Sequence, residues 1–242
     1  TSECHQPLFK LIEEIADKGK NLARDMYGLN GWAVHHNISI WREAYPSDGF
    51  VYWFFWNMSG PWLCNHIWEH YLYTKDIDFL KKYYPILKGS ATFCSEWLVE
   101  NSEGELVTPV STSPENAYLM PDGISASVCE GSTMDIAIIR SLFSNTINAS
   151  KILQTAPLFC AELTQKVNKL KKYEIGSKGQ LLEWDKEYME NEPQHRHVSH
   201  LFGLYPGCDI TDNTPELFDA ARKSLNARCN KTTGWSMAWK IS

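Results

Sequence analysis

The chain has 242 residues, 43% of them hydrophobic and 21% charged, with a formal net charge of −6. That balance excludes an intrinsically disordered chain and suffices to bury a substantial core. A pI near 5.8 with no Lys/Arg-dense face argues against nucleic acid or an anionic membrane as the partner. The longest unbroken apolar run, 50–56, is far too short to span a bilayer.

The chain opens on Thr1-Ser2-Glu3-Cys4, with no Met, basic segment or apolar leader, and ends on Trp239-Lys240-Ile241-Ser242, within an element just begun. Both ends look cut, so the expectation is an internal piece of a larger protein. Seven Cys are dispersed and none forms a C-x-x-C pair. The expectation is buried free thiols. Asn-x-Ser/Thr sequons at Asn37, Asn57, Asn148 and Asn230 point to a secreted or extracytoplasmic protein.

In chain order, Leu8, Phe9, Leu11, Ile12, Ile15, Ala16, Leu22 and Ala23 recur at helical spacing. They predict a helix over 7–26, with Pro7 in its first turn and Gly28 ending it. Residues 30–60 are aromatic-rich and lack that period; 51–56 and 106–110 are candidate short strands. Pro61 opens a second helix, 62–73. Asp76 caps a third, 77–100, which Pro85 is expected to kink or restart. Residues 101–131 read as a long polar connection with proline turns. Ser132 caps a fourth helix, 134–153, and a fifth follows over 157–173. Residues 174–212 are mostly loop, with a short helix at 200–204. Thr214-Pro215-Glu216 starts a helix reaching 228, and Thr233-Gly234-Trp235 opens the last.

The predicted class is all-α, with helices alternating with long loops. Trp and His concentrate in those loops: Trp32, His35, His36, Trp41, Trp53, Trp56 and Trp62, then Trp184, His195, His197 and His200. Loops that long are usually functional. Helix pairs whose loops gather on one face suggest an α/α toroid with a pocket at one end.

Aromatic loops beside carboxylates and His suit carbohydrate, because sugar C–H faces pack on indole rings and hydroxyls need short polar partners. The same Trp serve equally well as core plugs. Ser113-Pro114-Glu115-Asn116 sets a carboxyl in a proline-rigid loop, where it can protonate a departing glycosidic oxygen or merely cap a turn. His195-Arg196-His197-x-x-His200 lacks the spacing of one helical face and a Cys or Glu to complete a zinc site. Hydrogen bonding to hydroxyls is expected there, with Arg196 pairing to Glu190 or Glu192. Leu182-Glu183-Trp184-Asp185 offers two more carboxylates. No GxGxxG, GxxxxGK or GxSxG motif is present.

Six stretches in order carry a resemblance: Gly31-Trp32-Ala33-Val34-His35-His36-Asn37; Gly60-Pro61-Trp62-Leu63-Cys64 with Trp68-Glu69-His70-Tyr71; Thr112-Ser113-Pro114-Glu115-Asn116; Leu181-Leu182-Glu183-Trp184; Glu192-Pro193-Gln194-His195-Arg196-His197-Val198-Ser199-His200-Leu201; and Thr233-Gly234-Trp235-Ser236-Met237-Ala238-Trp239-Lys240. Together they resemble the catalytic domain of glycoside hydrolase family 95, the 1,2-α-L-fucosidases. The resemblance implies that 1–242 is part of a single glycosidase catalytic domain, an (α/α)6 barrel incomplete at both ends. It implies an inverting enzyme acting on fucosylated oligosaccharides or glycans, with no metal or other cofactor, no nucleic acid and no membrane as partner. Glu115 then corresponds to the general acid, and His36, Trp62, Asn116, His195, His197 and His200 to the substrate pocket.

The family activates its water with an Asn-x-Asn motif and a downstream aspartate, neither of which is in these residues, so the 242 residues alone are expected to be inactive. After His35-His36-Asn37, where the family has Thr-Asp, stand Ile38-Ser39. The alternative from another class is a catalytically silent carbohydrate-binding relative. A lyase or phosphorylase on a similar scaffold would need a Tyr/His base or a phosphate site, and neither is evident.

Overall fold

The first apolar stripe folds as a longer helix than its proline suggested. In the computed structural model, which describes residues 2–242, α1 spans Ser2–Leu22 with Pro7 inside it. A π-helical turn, Ala23–Tyr27, follows and is closed by Gly28 in the left-handed conformation. The remaining helices are α2 (Val51–Phe54), α3 (Ser59–Thr74), α4 (Ile77–Trp97), α5 (Thr133–Leu153), α6 (Pro157–Lys169), α7 (Pro215–Ala227) and α8 (Gly234–Ile241). A 3-10 turn (Ser199–Leu201) and strands of two residues each complete the described elements: β1 (Val99–Glu100), β2 (Leu106–Val107), β3 (Ser111–Thr112), β4 (Tyr118–Leu119), β5 (Ser125–Ala126), β6 (Val128–Cys129) and β7 (Met189–Glu190).

The chain is therefore mostly helical, and two expectations need correction. Residues 51–54 are a helical turn, not a strand: Trp53 N bonds Phe50 O at 3.0 Å, and this local bond overrides the aromatic bias of the run. Pro85 does not restart its helix, for α4 runs through it from Ile77 to Trp97. The Asp76 cap is present, with its side chain accepting from Phe79 N at 3.0 Å. No helix among the described residues is long and apolar enough to cross a membrane.

The chain forms two compact units. One holds the chain through Gly49, Phe54–Leu106 and Ile139–Leu170; the other holds Phe50–Trp53, Val107–Ile138 and Lys171–Ser242. In the first, α1 and α4 bury residues at helical spacing, among them Phe9, Ile12 and Ile15 of α1 and Leu80, Leu87 and Ala91 of α4. Phe9, His70, Phe79 and Tyr83 form an aromatic cluster with ring centroids 4.4–5.5 Å apart, Phe9 lying edge-to-face on His70 and Phe79 and the other pairs tilted. Trp32 is buried and donates its Nε1–H to Ile86 O at 2.9 Å. A Cβ on Gly60 of α3 or Gly89 of α4 would stand 2.7 or 2.9 Å from this indole, so the ring fills a slot that only glycines leave open.

In the second unit β3 pairs antiparallel with β6 (Ser111 opposite Cys129), and β4 lies between β5 and β7 (Tyr118 opposite Ala126 and Glu190). Tyr118, Cys129 and Trp184 form one core cluster, with Tyr188 stacked on Tyr118 at 3.9 Å. Leu181, Leu201 and Ile210 pack with Ala220 and Ala221 of α7 in another. At the start of α5, Ser132 Oγ accepts from Asp135 N at 3.4 Å, and buried Asp135 accepts from Ser111 Oγ at 2.6 Å.

All seven cysteines are free thiols. Cys64, Cys94 and Cys129 are buried as expected; Cys4 and Cys208 are exposed, which corrects the expectation for those two.

Candidate active site

The second unit brings one carboxyl, two imidazoles and a guanidinium together. Directly after β3, Ser113-Pro114-Glu115-Asn116 makes a tight turn closed by Asn116 N to Ser113 O at 2.7 Å. Its Pro114–Glu115 peptide is cis. Pro114 O accepts from Ser199 Oγ, at the start of a short 3-10 turn over Ser199–Leu201. Glu115 Oε2 accepts from Arg196 and lies 3.4 Å from His197 Nε2. Arg196 therefore does not pair with Glu190 or Glu192 as expected; Glu190 instead accepts from Arg228. Near neighbours in sequence are the obvious partners to guess, but the turn brings a carboxyl from 81 residues away.

His195 is buried. Its Nδ1 accepts from His197 N at 3.1 Å, so the neutral ring carries its proton on Nε2. The ring also bonds the Glu115 backbone. Burial, then His197 and the Arg196 and Arg228 cations, push His195 down to about 3, leaving a neutral donor through the physiological range. His197 lies near-parallel to His195 at 5.2 Å and against Trp235 of α8 at 4.8 Å. Ser236 of the same helix donates to Arg196 O. Arg196 and Trp235 stand at the site without having been predicted as site residues. Arg196 is visible inside the His-Arg-His segment, and Trp235 as part of a helix start within the last stretch of the resemblance.

Glu115, Asn116 and His195 line a cavity of about 480 Å³, with Ser125, Ser127, Asn191 and Glu192 as further polar walls. Phe50 and Tyr52, stacked 5.4 Å apart and near-parallel, line it as well. Asn116 is buried, and its amide is engaged on the protein: Nδ2 donates to Glu183 Oε2 at 3.2 Å and Oδ1 accepts from Ala117 N at 2.9 Å. His200 does not line this cavity. It is buried, with Nδ1 3.7 Å from Glu183 Oε2, and burial with the Arg228 charge holds it well below its ordinary value.

Below the turn lies a buried charge pair. Glu183 accepts from Ser113 Oγ at 2.7 Å, from Asn116 and from Arg228. Burial pushes its carboxyl upward against the pull of Arg228, Ser113 and Asn116. For Arg228 burial acts downward, but the Glu183 and Glu190 carboxylates outweigh it and keep the guanidinium cationic.

The first unit holds the other two predicted residues. His36 is half-buried, one residue beyond His35, whose own ring bonds Tyr27 OH at 2.6 Å and is pushed by burial to about 4. Trp62 lies in the first turn of α3, edge-on to Trp56 at 6.2 Å. Among the described residues no group of three or more His, Cys, Asp or Glu is placed to hold a metal ion.

The profile of the glycosyl hydrolase family 95 catalytic domain matches residues 1–242. Alpha-L-fucosidase 2 of Arabidopsis thaliana is 42% identical over 243 residues, covering 99% of this chain and 29% of that protein. Probable alpha-fucosidase A of Aspergillus niger is 29% identical over 256 residues, covering 98% of this chain and 31% of the relative. The chain thus spans about three tenths of the length of these curated relatives. With the match running from its first residue to its last, the chain belongs to glycosyl hydrolase family 95.

Proposed function

We propose that the protein carrying this chain is an inverting glycoside hydrolase that releases terminal α-L-fucose from fucosylated glycans, with Glu115 as its general acid. One observation carries the assignment: Glu115 is the carboxyl of the Ser-Pro-Glu-Asn turn and lines a cavity of sugar size, within reach of Arg196 and His197. In an inverting mechanism the acid protonates the leaving oxygen while water attacks the opposite face of the sugar. Arg196 occupies Glu115 Oε2, so the leaving oxygen must displace it or approach Oε1. Neutral His195 and polar Ser125, Ser127 and Asn191 offer hydrogen bonds to sugar hydroxyls, and the Phe50–Tyr52 pair offers an apolar face. His36 and Trp62 are assigned to substrate contact by the resemblance alone, while His200 belongs to the support beneath Glu115.

The groups that activate water are not among these residues, so the 242-residue chain alone does not hydrolyse. The helix-rich structure supports membership in a single (α/α)6 catalytic domain. The exposed sequons at Asn37, Asn148 and Asn230 support a secreted or extracytoplasmic protein.

The test is Glu115→Gln in the full-length protein. Turnover of a 2′-fucosylated glycan should fall about 10²–10⁴-fold, the scale of general acid catalysis. α-L-Fucosyl fluoride, whose leaving group needs no proton, should lose far less, with substrate affinity little changed. Parental turnover of the glycan would remove Glu115 from the role.

A further inference from the structure

Glu183 does not line the cavity that Glu115 lines, yet its oxygens are fully directed. It is buried. Oε1 accepts from Ser113 Oγ at 2.7 Å, and Oε2 accepts from Asn116 Nδ2 at 3.2 Å and from Arg228. Ser113 and Asn116 are the residues immediately before and after the Pro114–Glu115 pair, so one carboxylate grips both ends of the turn that presents Glu115.

The grip is itself anchored. Glu183 O accepts from Thr133 N at 3.1 Å, and Thr133 Oγ1 donates to Leu182 O at 2.6 Å, which seats the segment on the first residue of α5. Arg228, at the end of α7, also binds Glu190 and donates to Pro193 O at 2.8 Å. Pro193 leads into the segment that lays Arg196 and His197 on Glu115. A single guanidinium therefore joins the carboxylate under the turn to the strand of chain above it.

Packing does not account for this arrangement. A buried ion pair is weak evidence for stability, because an apolar pair of similar volume often serves as well. It does fix geometry, since every bond is directional and low-dielectric surroundings sharpen the cost of misplacing one.

We propose that Glu183, held by Arg228, is a positioning residue for Glu115. It acts through Ser113 and Asn116 to set where the Glu115 carboxyl meets the leaving oxygen. The proposal rests on Glu115 being the general acid. A misplacement of about 1 Å at a reacting group is enough to lose about 10²-fold in rate.

The test uses the full-length protein, two substrates and three variants. Ser113→Ala removes one hydroxyl, Glu183→Gln removes the charge and keeps the shape, and Glu115→Gln is the reference. Ser113→Ala and Glu183→Gln should each lower kcat on a 2′-fucosylated glycan by about 10-fold or more, with KM within about 2-fold. On α-L-fucosyl fluoride both should stay within about 3-fold of the parent. Equal losses on the two substrates, or no loss on the glycan, would overturn the positioning role. If Glu183→Gln does not fold, Ser113→Ala decides alone. If Glu115→Gln itself fails to separate the substrates, the premise falls and the proposal with it. If Glu115→Gln separates them and Ser113→Ala does not, only the positioning role falls.

Discussion

Two arginines of the second unit show how burial divides one chemistry into two uses. Arg196 is partly exposed and meets Glu115 where solvent can reach both. Arg228 is buried and meets Glu183 and Glu190, where an uncompensated charge would be strongly destabilising. The sequence marked Arg196 through its flanking histidines, but nothing around Arg228 distinguishes it from any arginine ending an amphipathic helix. Its partner Glu183 lies 45 residues away, and no local pattern links them. The cysteines divide by burial in the same way. Burial raises the Cys64 thiol to about 12 and that of Cys129 higher still, which suppresses the reactive thiolate. Iodoacetamide at pH 8 should therefore modify exposed Cys4 and Cys208 well before Cys64, Cys94 and Cys129 in the folded protein, as read by peptide mass spectrometry. Early labelling of Cys64 would contradict the packing around α3.

Among elements, the helices were legible wherever an apolar stripe met a capping residue. Asp76 before α4 and Ser132 before α5 both place side-chain oxygens on free N–H groups of the first turn, as their positions in the sequence predict. Asp76→Ala should lower stability by about 1 kcal/mol, seen as a shift of the urea midpoint without a change in slope. No shift would mean the cap is idle. The strands were largely illegible because two residues are too few to show alternation; only 106–110 was marked, and β2 occupies its first two positions. Yet these short pairings hold the site: β3 delivers the Ser113–Asn116 turn, and β4 with β7 brings residues 117 and 191 within one hydrogen bond of each other. The 51–54 turn was misread because aromatic residues favour strands only where a partner strand exists.

For the whole molecule, three buried neutral imidazoles set a direction for acid stability. His35 sits at about 4, His195 at about 3 and His200 well below its ordinary value, each chiefly through burial. All three titrate near 6.5 when unfolded, so the unfolded chain binds more protons below that pH. Their contribution is fully present above about 6.5 and drains away as pH falls toward the folded values of about 4 and about 3. The thermal midpoint of the full-length protein should drop between pH 7 and 4.5, and His35→Gln and His195→Gln should each flatten that drop. Unchanged slopes in both variants would show that these rings are not held neutral. The Trp32 slot has a consequence of another kind, for inheritance. The indole and the two glycines it touches lie at 32, 60 and 89, far apart in the gene and edge to edge in space. None of the three can drift alone: Gly60→Ala or Gly89→Ala should destabilise by about 1–3 kcal/mol through overpacking, and Trp32→Phe in the same chain should return part of that loss in a double-mutant cycle. Across descendants of this sequence the three positions should therefore change as a set, so that a lineage with a side chain at 60 or 89 carries a smaller ring, or none, at 32.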